Sequence, residues 1–451
     1  MYKNNKLKIL LIEPSYQCKY PPLGLMKLST FHKQRGDEVV FVKGLDKNKK
    51  NGAWDRIYIS TLFSFYWDIT IKTINYYECS VKDLKNLFIG GPMATVMAKE
   101  IEEITGFKTI QGLLNEKGKL NITGDHLIDN MVPDYDLLKQ ISYKYISDDA
   151  YYSYATRGCI RKCLFCAVPK IEPLYQEYVP FKKQIQSIKQ NFGEKKDLLL
   201  LDNNILASPC FEKIINDIKE LGFSKDERYN GKLRYVDFNQ GVDLRKITKE
   251  KMKLLSEIAI RPLRIAFDDI KYKDQYIKVI EMAAEYGILN LSNYILYNYK
   301  DTPKDFYERL KINVELNKKL GTKIFSFPMK YIPVSNKNRF FIGENWNQRF
   351  LRGIQCVLHV THGVVSPNKP FFEAAFGKNY SEFKKILLMP DSYIMYRESK
   401  KKNKVKQWHD TLEKLTAAQK KQFMENILNN TFTFVSEYKN VNKMMSFYKD
   451  K

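Results

Sequence analysis

The 451-residue chain contains no apolar run approaching the roughly 18 to 20 residues needed to cross a bilayer. Its opening residues lead directly into a strand-like run and lack the charged, apolar and small-residue succession of a secretory signal. No internal repeat and no long low-complexity linker is visible. A cytoplasmic location and no membrane span are therefore expected. Cysteine is scarce and odd in number, seven in all at positions 18, 79, 159, 163, 166, 210 and 356. So few thiols, so unevenly spread, exclude a disulfide framework, and the four isolated ones read as buried small hydrophobes. Histidine is rarer still, with five residues, none nearer the clustered cysteines than His126. Arginine is sparse beside lysine, 14 against 61, although the net charge is +24. Sequence-specific nucleic-acid recognition leans on arginine for bidentate and stacking contacts. The charge by itself implies nonspecific attraction, so nucleic acid is retained as an alternative partner and not as the favoured one.

With 44% hydrophobic residues the chain can bury a sizeable core. Residues 1–145 alternate strands and helices. Continuous apolar or half-apolar runs at 7–12, 38–42, 56–60 and 86–90 have strand length, and 23–34 has helical spacing ending at Arg35-Gly36. Strands separated by helices imply a doubly wound parallel sheet, whose ligands sit beyond the strands' carboxyl ends. A second series runs 151–155, 197–201, 233–238, 263–267, 293–297 and 323–327, with helical segments at 182–191, 211–221 and 304–320. Six such units predict a partial (β/α)6 barrel with its site at the carboxyl ends. Residues 351–360, 371–376 and 407–446 read as mostly helical. The expected organisation is an N-terminal Rossmann-like domain (1–145), a partial barrel (146–338) and a C-terminal helical cap (339–451).

Cys159, Cys163 and Cys166 stand apart, in the spacing C-x3-C-x2-C just after the first strand of the second series. Four protein ligands close a structural zinc site, and a cubane iron–sulfur cluster normally takes four thiolates. Three thiolates leave one coordination position open to a small molecule. Ligand softness and count favour iron–sulfur, with zinc and a distant histidine as the alternative.

This motif, with aromatic Phe165 directly before its last cysteine, resembles the signature of the radical S-adenosylmethionine (SAM) superfamily. The resemblance implies a [4Fe–4S] cluster on the three cysteines, with the fourth iron chelated by SAM. It also implies reductive cleavage of SAM to a deoxyadenosyl radical that abstracts hydrogen, using an electron from a donor such as flavodoxin or ferredoxin. By position along the barrel, it implies SAM contacts from Asp202, Asn203 and Asn204 after the second strand. Polar residues after the later strands are candidates to line the pocket: Asn239 and Gln240, Asp268, and Asn298. The segment 325–330, with Met329, resembles the last strand on which adenine packs. Residues 7–13, 21–25, 59–63 and Gly90-Gly91 resemble the cobalamin-binding domain fused to such barrels, although the Asp-x-His-x-x-Gly lower-ligand motif is absent. The expected activity is that of a radical SAM enzyme, with cobalamin-dependent methyl transfer to an unactivated carbon if a corrinoid binds. A cobalamin-free radical SAM enzyme acting on nucleic acid or lipid, and a non-catalytic metal-containing nucleic-acid-binding protein, are the alternatives. His359 and His362, three residues apart, are a further candidate pair.

Overall fold

The computed structural model describes residues 6–337, 340–429, 431 and 435–449. The first apolar runs become strands of one sheet: β1 (Lys8–Glu13), β2 (Glu38–Lys43), β3 (Arg56–Ser60), β4 (Leu87–Gly90) and β5 (Thr109–Ile110), in the order β2-β1-β3-β4-β5. All pairings are parallel; Ile9 lies opposite both Val39 and Arg56, and Ile89 opposite Thr109. β1 is an interior strand, buried from Ile9 onward, which explains why it reads as a continuous apolar run and not as an alternating one. Leu10, Ile12, Ile57, Ile59 and Ile89 pack with Ile74, Tyr77, Met93 and Ile101 from the crossover helices. Each such side chain contributes about 1.5–3 kcal/mol on burial. The helix Leu23–Gln34 falls where its spacing predicts and is followed by Gly36 at φ +84°. The two-residue β5 was too short to carry a periodic signal.

The second series begins with β6 (Ala150–Ser153) and β7 (Asp197–Leu200). A hairpin of β8 (Arg228–Tyr229) and β9 (Lys232–Leu233) follows, and then β10 (Val236–Phe238). The expected strand at 233–238 is thus split. Asn230 and Gly231 take φ +49° and +76°, the left-handed pair that a two-residue hairpin loop requires, so Leu233 pairs backwards with Arg228. β6, β7 and β10 form a parallel three-stranded sheet ordered β10-β7-β6. The helices Phe181–Phe192 and Phe211–Glu220 flank β7 in the chain.

Three further parallel strands, β11 (Leu263–Ala266), β12 (Asn290–Tyr297) and β13 (Lys323–Lys330), are ordered β11-β12-β13. The helix Pro303–Leu320 links the last two and starts on a capping box of Thr302 and Asp305. The six expected barrel strands are therefore present as two parallel triplets.

The chain divides into two compact units. The first comprises Met1–Val242, Thr248–Arg261 and Pro333–Arg339, and holds the five-stranded sheet and the first triplet. The second comprises Asp243–Ile247, Pro262–Ile332 and Phe340–Lys451, with the second triplet and the C-terminal helices. The span 407–446 resolves into parts of three helices: Lys402–Glu413, Ala417–Leu428 and Lys439–Ser446; residues 430 and 432–434 within it lie outside the described ones. Trp408, Phe383, Phe372 and Met444 join Phe306 and Tyr307 of the helix Pro303–Leu320 in one core. Of the isolated cysteines only Cys356 is fully buried; Cys18 and Cys210 are half-buried and Cys79 is exposed. No helix among the described residues is long and apolar enough to cross a membrane.

Candidate active site

β6 delivers the chain into the loop that carries the three cysteines. None of the three is in a disulfide, and all are half-buried. The loop is pinned where it leaves and where it returns: Arg157 and Gln176 exchange backbone hydrogen bonds of 3.1 and 2.9 Å, and Val179 N–H donates to Ala155 O at 2.7 Å. Between these ties Gly158 adopts φ +67°, and a Cβ there would lie 2.2 Å from Leu174 O. Only glycine fits that approach. Cys166 N–H donates to Cys163 O at 3.0 Å, closing a turn that gathers the last two thiols. Phe165 is half-buried inside it.

Two carboxylates fasten this loop to the end of β7. Asp202 accepts from Ala155 N–H at 3.1 Å and from the Thr156 hydroxyl at 2.6 Å, and also from Thr156 N–H. Burial pushes its carboxyl up to about 6, against the pull of those hydrogen bonds. Its oxygens are thus occupied by the loop's own backbone. Glu172 makes the second fastening: one oxygen accepts from Gly158 N–H at 2.6 Å and from the Asn203 amide at 3.0 Å. Its other oxygen pairs with Arg157 at 3.0 Å. Arg157 lies 4.0 Å from the Tyr154 ring centroid and 3.4 Å from Asp129, which Lys27 also faces at 3.5 Å. Burial lowers the Lys27 pKa while Asp129 opposes that shift. Asn204, almost wholly buried, donates its amide to the Cys159 sulfur at 3.4 Å, and Arg161 N–H reaches the same sulfur at 3.3 Å. The Asn204 carboxamide oxygen is buried without a partner.

At the end of β10, Asn239 donates to the Tyr20 hydroxyl at 2.7 Å, and Gln240 donates to Asn239 at 3.3 Å. Tyr20 comes from the loop after β1, and its ring packs edge-on against Tyr152 of β6. The sequence offers no local sign that Tyr20 reaches these strands. Within the first unit the fold therefore assembles the three cysteines, Asp202, Asn203 and Asn204 around one loop.

The carboxyl ends of the N-terminal sheet form a second polar centre. Buried Glu13 pairs with Lys43 at 2.7 Å, accepts from the Tyr145 hydroxyl and faces the Cys18 thiol at 3.3 Å. Burial and the Glu13 charge push that thiol up to about 12. A cavity of about 720 Å3 lies alongside, lined by Ser15, Tyr16, Lys43, Gln140 and Tyr143 among others. The loops following β1 to β4 carry no histidine. His32 is buried with both ring nitrogens engaged, at 2.7 Å by Asp37 and 2.9 Å by Tyr58. Burial pushes its pKa down to about 4.

Asp268, Asn298 and Met329 belong to the second unit. Burial pushes Asp268 up to about 6, against Arg309, Arg245 and a hydrogen bond from Leu296 N–H. Asn298 sits at φ +68°, and all its amide capacity goes to backbone. It donates to Tyr331 O and Phe341 O, both at 3.0 Å, and accepts from Gly343 N–H at 2.8 Å. Its role in this structure is to fasten a loop. Met329 is half exposed near the end of β13. His359 and His362 are exposed where the helix Gln348–Val360 ends.

Among the described residues no three His, Cys, Asp or Glu side chains are close enough to share a single metal ion. That is the requirement of a mononuclear site, whereas a cubane takes each thiolate on a different iron. The donor set suits the latter: three thiols outside any disulfide, one of which already receives two N–H groups. At the N-terminal sheet, a corrinoid would sit without a protein imidazole from the first four strand-end loops.

No protein-family model matches the chain, and no curated protein sequence does. Solved structures do. The chain shares its fold with the radical S-adenosylmethionine methyltransferase TsrM from Kitasatospora setae, in a structure with cobalamin and a [4Fe-4S] cluster bound. The TM-score is 0.54 at 14% identity, over 78% of each chain. A second structure of TsrM, with tryptophan substrate and the SAM analogue aza-SAM bound, gives a TM-score of 0.53 at 13% identity, over 78% of this chain and 77% of that one.

Proposed function

We propose that this protein is a radical SAM enzyme whose Cys159, Cys163 and Cys166 hold a [4Fe–4S] cluster, and that it transfers a methyl group to an unactivated carbon with the help of cobalamin. The observation that carries the reading is the loop after β6. It presents three thiols in C-x3-C-x2-C order, none of them in a disulfide and with no fourth among them, and buried Asp202 and Glu172 hold it in place. When bound, the cluster supplies the electron that cleaves SAM, and the corrinoid supplies a methyl carrier. The chain's own residues position and shield. Asp202 fixes the loop's entry, Glu172 ties Gly158 to Asn203, and Asn204 contacts the Cys159 sulfur. Cobalamin is assigned to the carboxyl ends of the N-terminal sheet because ligands of such sheets gather there. Fold likeness to TsrM supports this assignment.

In this reading residues 1–145 form the corrinoid domain, 146–338 the SAM barrel and 339–451 the cap. Asn239, Gln240, Asp268 and Met329 are proposed to face SAM or substrate, and an external flavodoxin or ferredoxin supplies electrons.

The test is anaerobic reconstitution with iron, sulfide and cobalamin, followed by reduction and incubation with SAM. The expected result is about four irons per chain, a retained corrinoid, and S-adenosylhomocysteine from methyl donation together with methionine and deoxyadenosine from cleavage. Zinc with negligible iron would remove the proposal. A full cluster that yields deoxyadenosine with no retained corrinoid would leave a cobalamin-free radical SAM enzyme. Salt-sensitive binding of RNA or DNA without SAM turnover would favour the nucleic-acid-binding alternative.

A further inference from the structure

We infer that Asn204 is a positioning residue that tunes the reduction potential of the cluster through the sulfur of Cys159. The inference rests on the reading that the three cysteines carry an iron–sulfur cluster. The Asn204 side chain is almost wholly buried, and its amide nitrogen lies 3.4 Å from Cys159 Sγ. Arg161 N–H approaches the same sulfur at 3.3 Å. A sulfur bound to iron has no proton and offers only lone pairs, so the amide must turn its N–H toward it. The opposite end of the amide is consistent with that orientation, because its oxygen is buried and has no partner to draw it elsewhere.

The contact is built and not incidental. Glu172 holds Gly158 N–H at 2.6 Å and the Asn203 amide at 3.0 Å on one oxygen. One carboxylate therefore fixes the residue before Cys159 and the residue before Asn204. Tyr175 adds a hydroxyl to Asn204 O at 3.3 Å. The amide and the sulfur are thus tied down from both sides, through the Gly158 backbone on one and the Asn203 side chain and the Asn204 carbonyl on the other.

Reduction adds negative charge to a cluster, part of it on the ligand sulfurs. A hydrogen-bond donor at such a sulfur stabilises the reduced state more than the oxidised one and raises the potential. The buried Asn204 amide makes this bond in a medium of lower dielectric than water, which strengthens it. Asn204 thereby makes the cluster easier to reduce by its donor.

The experiment is an EPR-monitored redox titration of the full-length protein reconstituted with iron and sulfide, comparing wild type with Asn204→Leu and Asn204→Asp. Both variants remove the donor; the second keeps the shape and carries the test if the first fails to load. At a fixed potential near the wild-type midpoint, the ratio of reduced to oxidised cluster is expected to fall several-fold in each, at unchanged iron content. An unchanged or increased ratio overturns the inference. So does failure of both folded variants to load, which would make Asn204 an assembly residue. Absence of a [4Fe–4S] signal in the wild type would instead strike the reading beneath it.

Discussion

At the scale of single residues, Asp202 carries a charge that its surroundings resist. Its carboxyl, ordinarily near 3.8, is pushed up to about 6 by complete burial. The folded state therefore binds this proton more tightly than the unfolded chain does. The stabilising contribution is full below about pH 4 and is lost as the pH rises through 6, at ~1.4 kcal/mol per pH unit of separation. Asp202→Asn lacks this titration. Its stability relative to wild type should therefore fall on acidification from pH 7 to pH 4, measured by urea unfolding; parallel curves would refute the assignment. At pH 7 the variant also turns an amide toward the N–H groups of Ala155 and Thr156, and one unsatisfied donor costs about 1–3 kcal/mol. Glu172 is a different case, since it is half of a buried ion pair with Arg157. Removing one partner of such a pair costs about 3–5 kcal/mol. Glu172→Ala is expected to lose cluster loading together with stability, read by iron content and thermal unfolding.

The element that matters most is the loop after β6. Its shape depends on Gly158, whose positive φ and contact with Leu174 O leave no room for a side chain. Gly158→Ala should displace the three cysteines as a group while leaving the strands intact. The expected result is iron content reduced to a small fraction of wild type with an unchanged far-UV circular dichroism spectrum. Normal iron loading in that variant would show that the loop tolerates the shift. Local sequence made some elements legible and hid others. The helix Leu23–Gln34 and the strand Arg56–Ser60 appear at their predicted limits because their periodic apolar pattern is local. β10 does not, because the Asn230-Gly231 turn folds Lys232–Leu233 back on Arg228–Tyr229. Asn230-Gly231 is a turn signal in the sequence that the reading of 233–238 as one strand leaves out.

For the whole molecule, the second unit depends on its C-terminal helices. Trp408 is fully buried in the core that also contains Phe306 and Tyr307, so Trp408→Ala should cost about 3–5 kcal/mol. Denaturant unfolding followed by tyrosine fluorescence checks the value, and a loss under 1 kcal/mol would mean that the helices pack loosely. The net charge of +24 predicts long-range attraction to polyanions that salt should screen. Retention on heparin is expected to fall steeply between 50 and 200 mM salt. Retention that survives would point to specific phosphate contacts.

The sequence by itself determined the alternation of strands and helices, the parallel class and the trio of closely spaced thiols. Hydrophobic periodicity and ligand spacing are properties of neighbouring residues and survive without a fold. Tertiary structure alone decided which polar groups surround those thiols. Glu172 meets Gly158 and Asn203, and Asn204 meets Cys159, through contacts between separate stretches of chain. Asn239 meets Tyr20 across 219 positions. Tertiary structure also assigned Asn298, polar at the end of β12, to three backbone groups of the segment after β13. A side chain's type announces what it can bond; only the path of the backbone determines which partner comes within 3 Å or so of it.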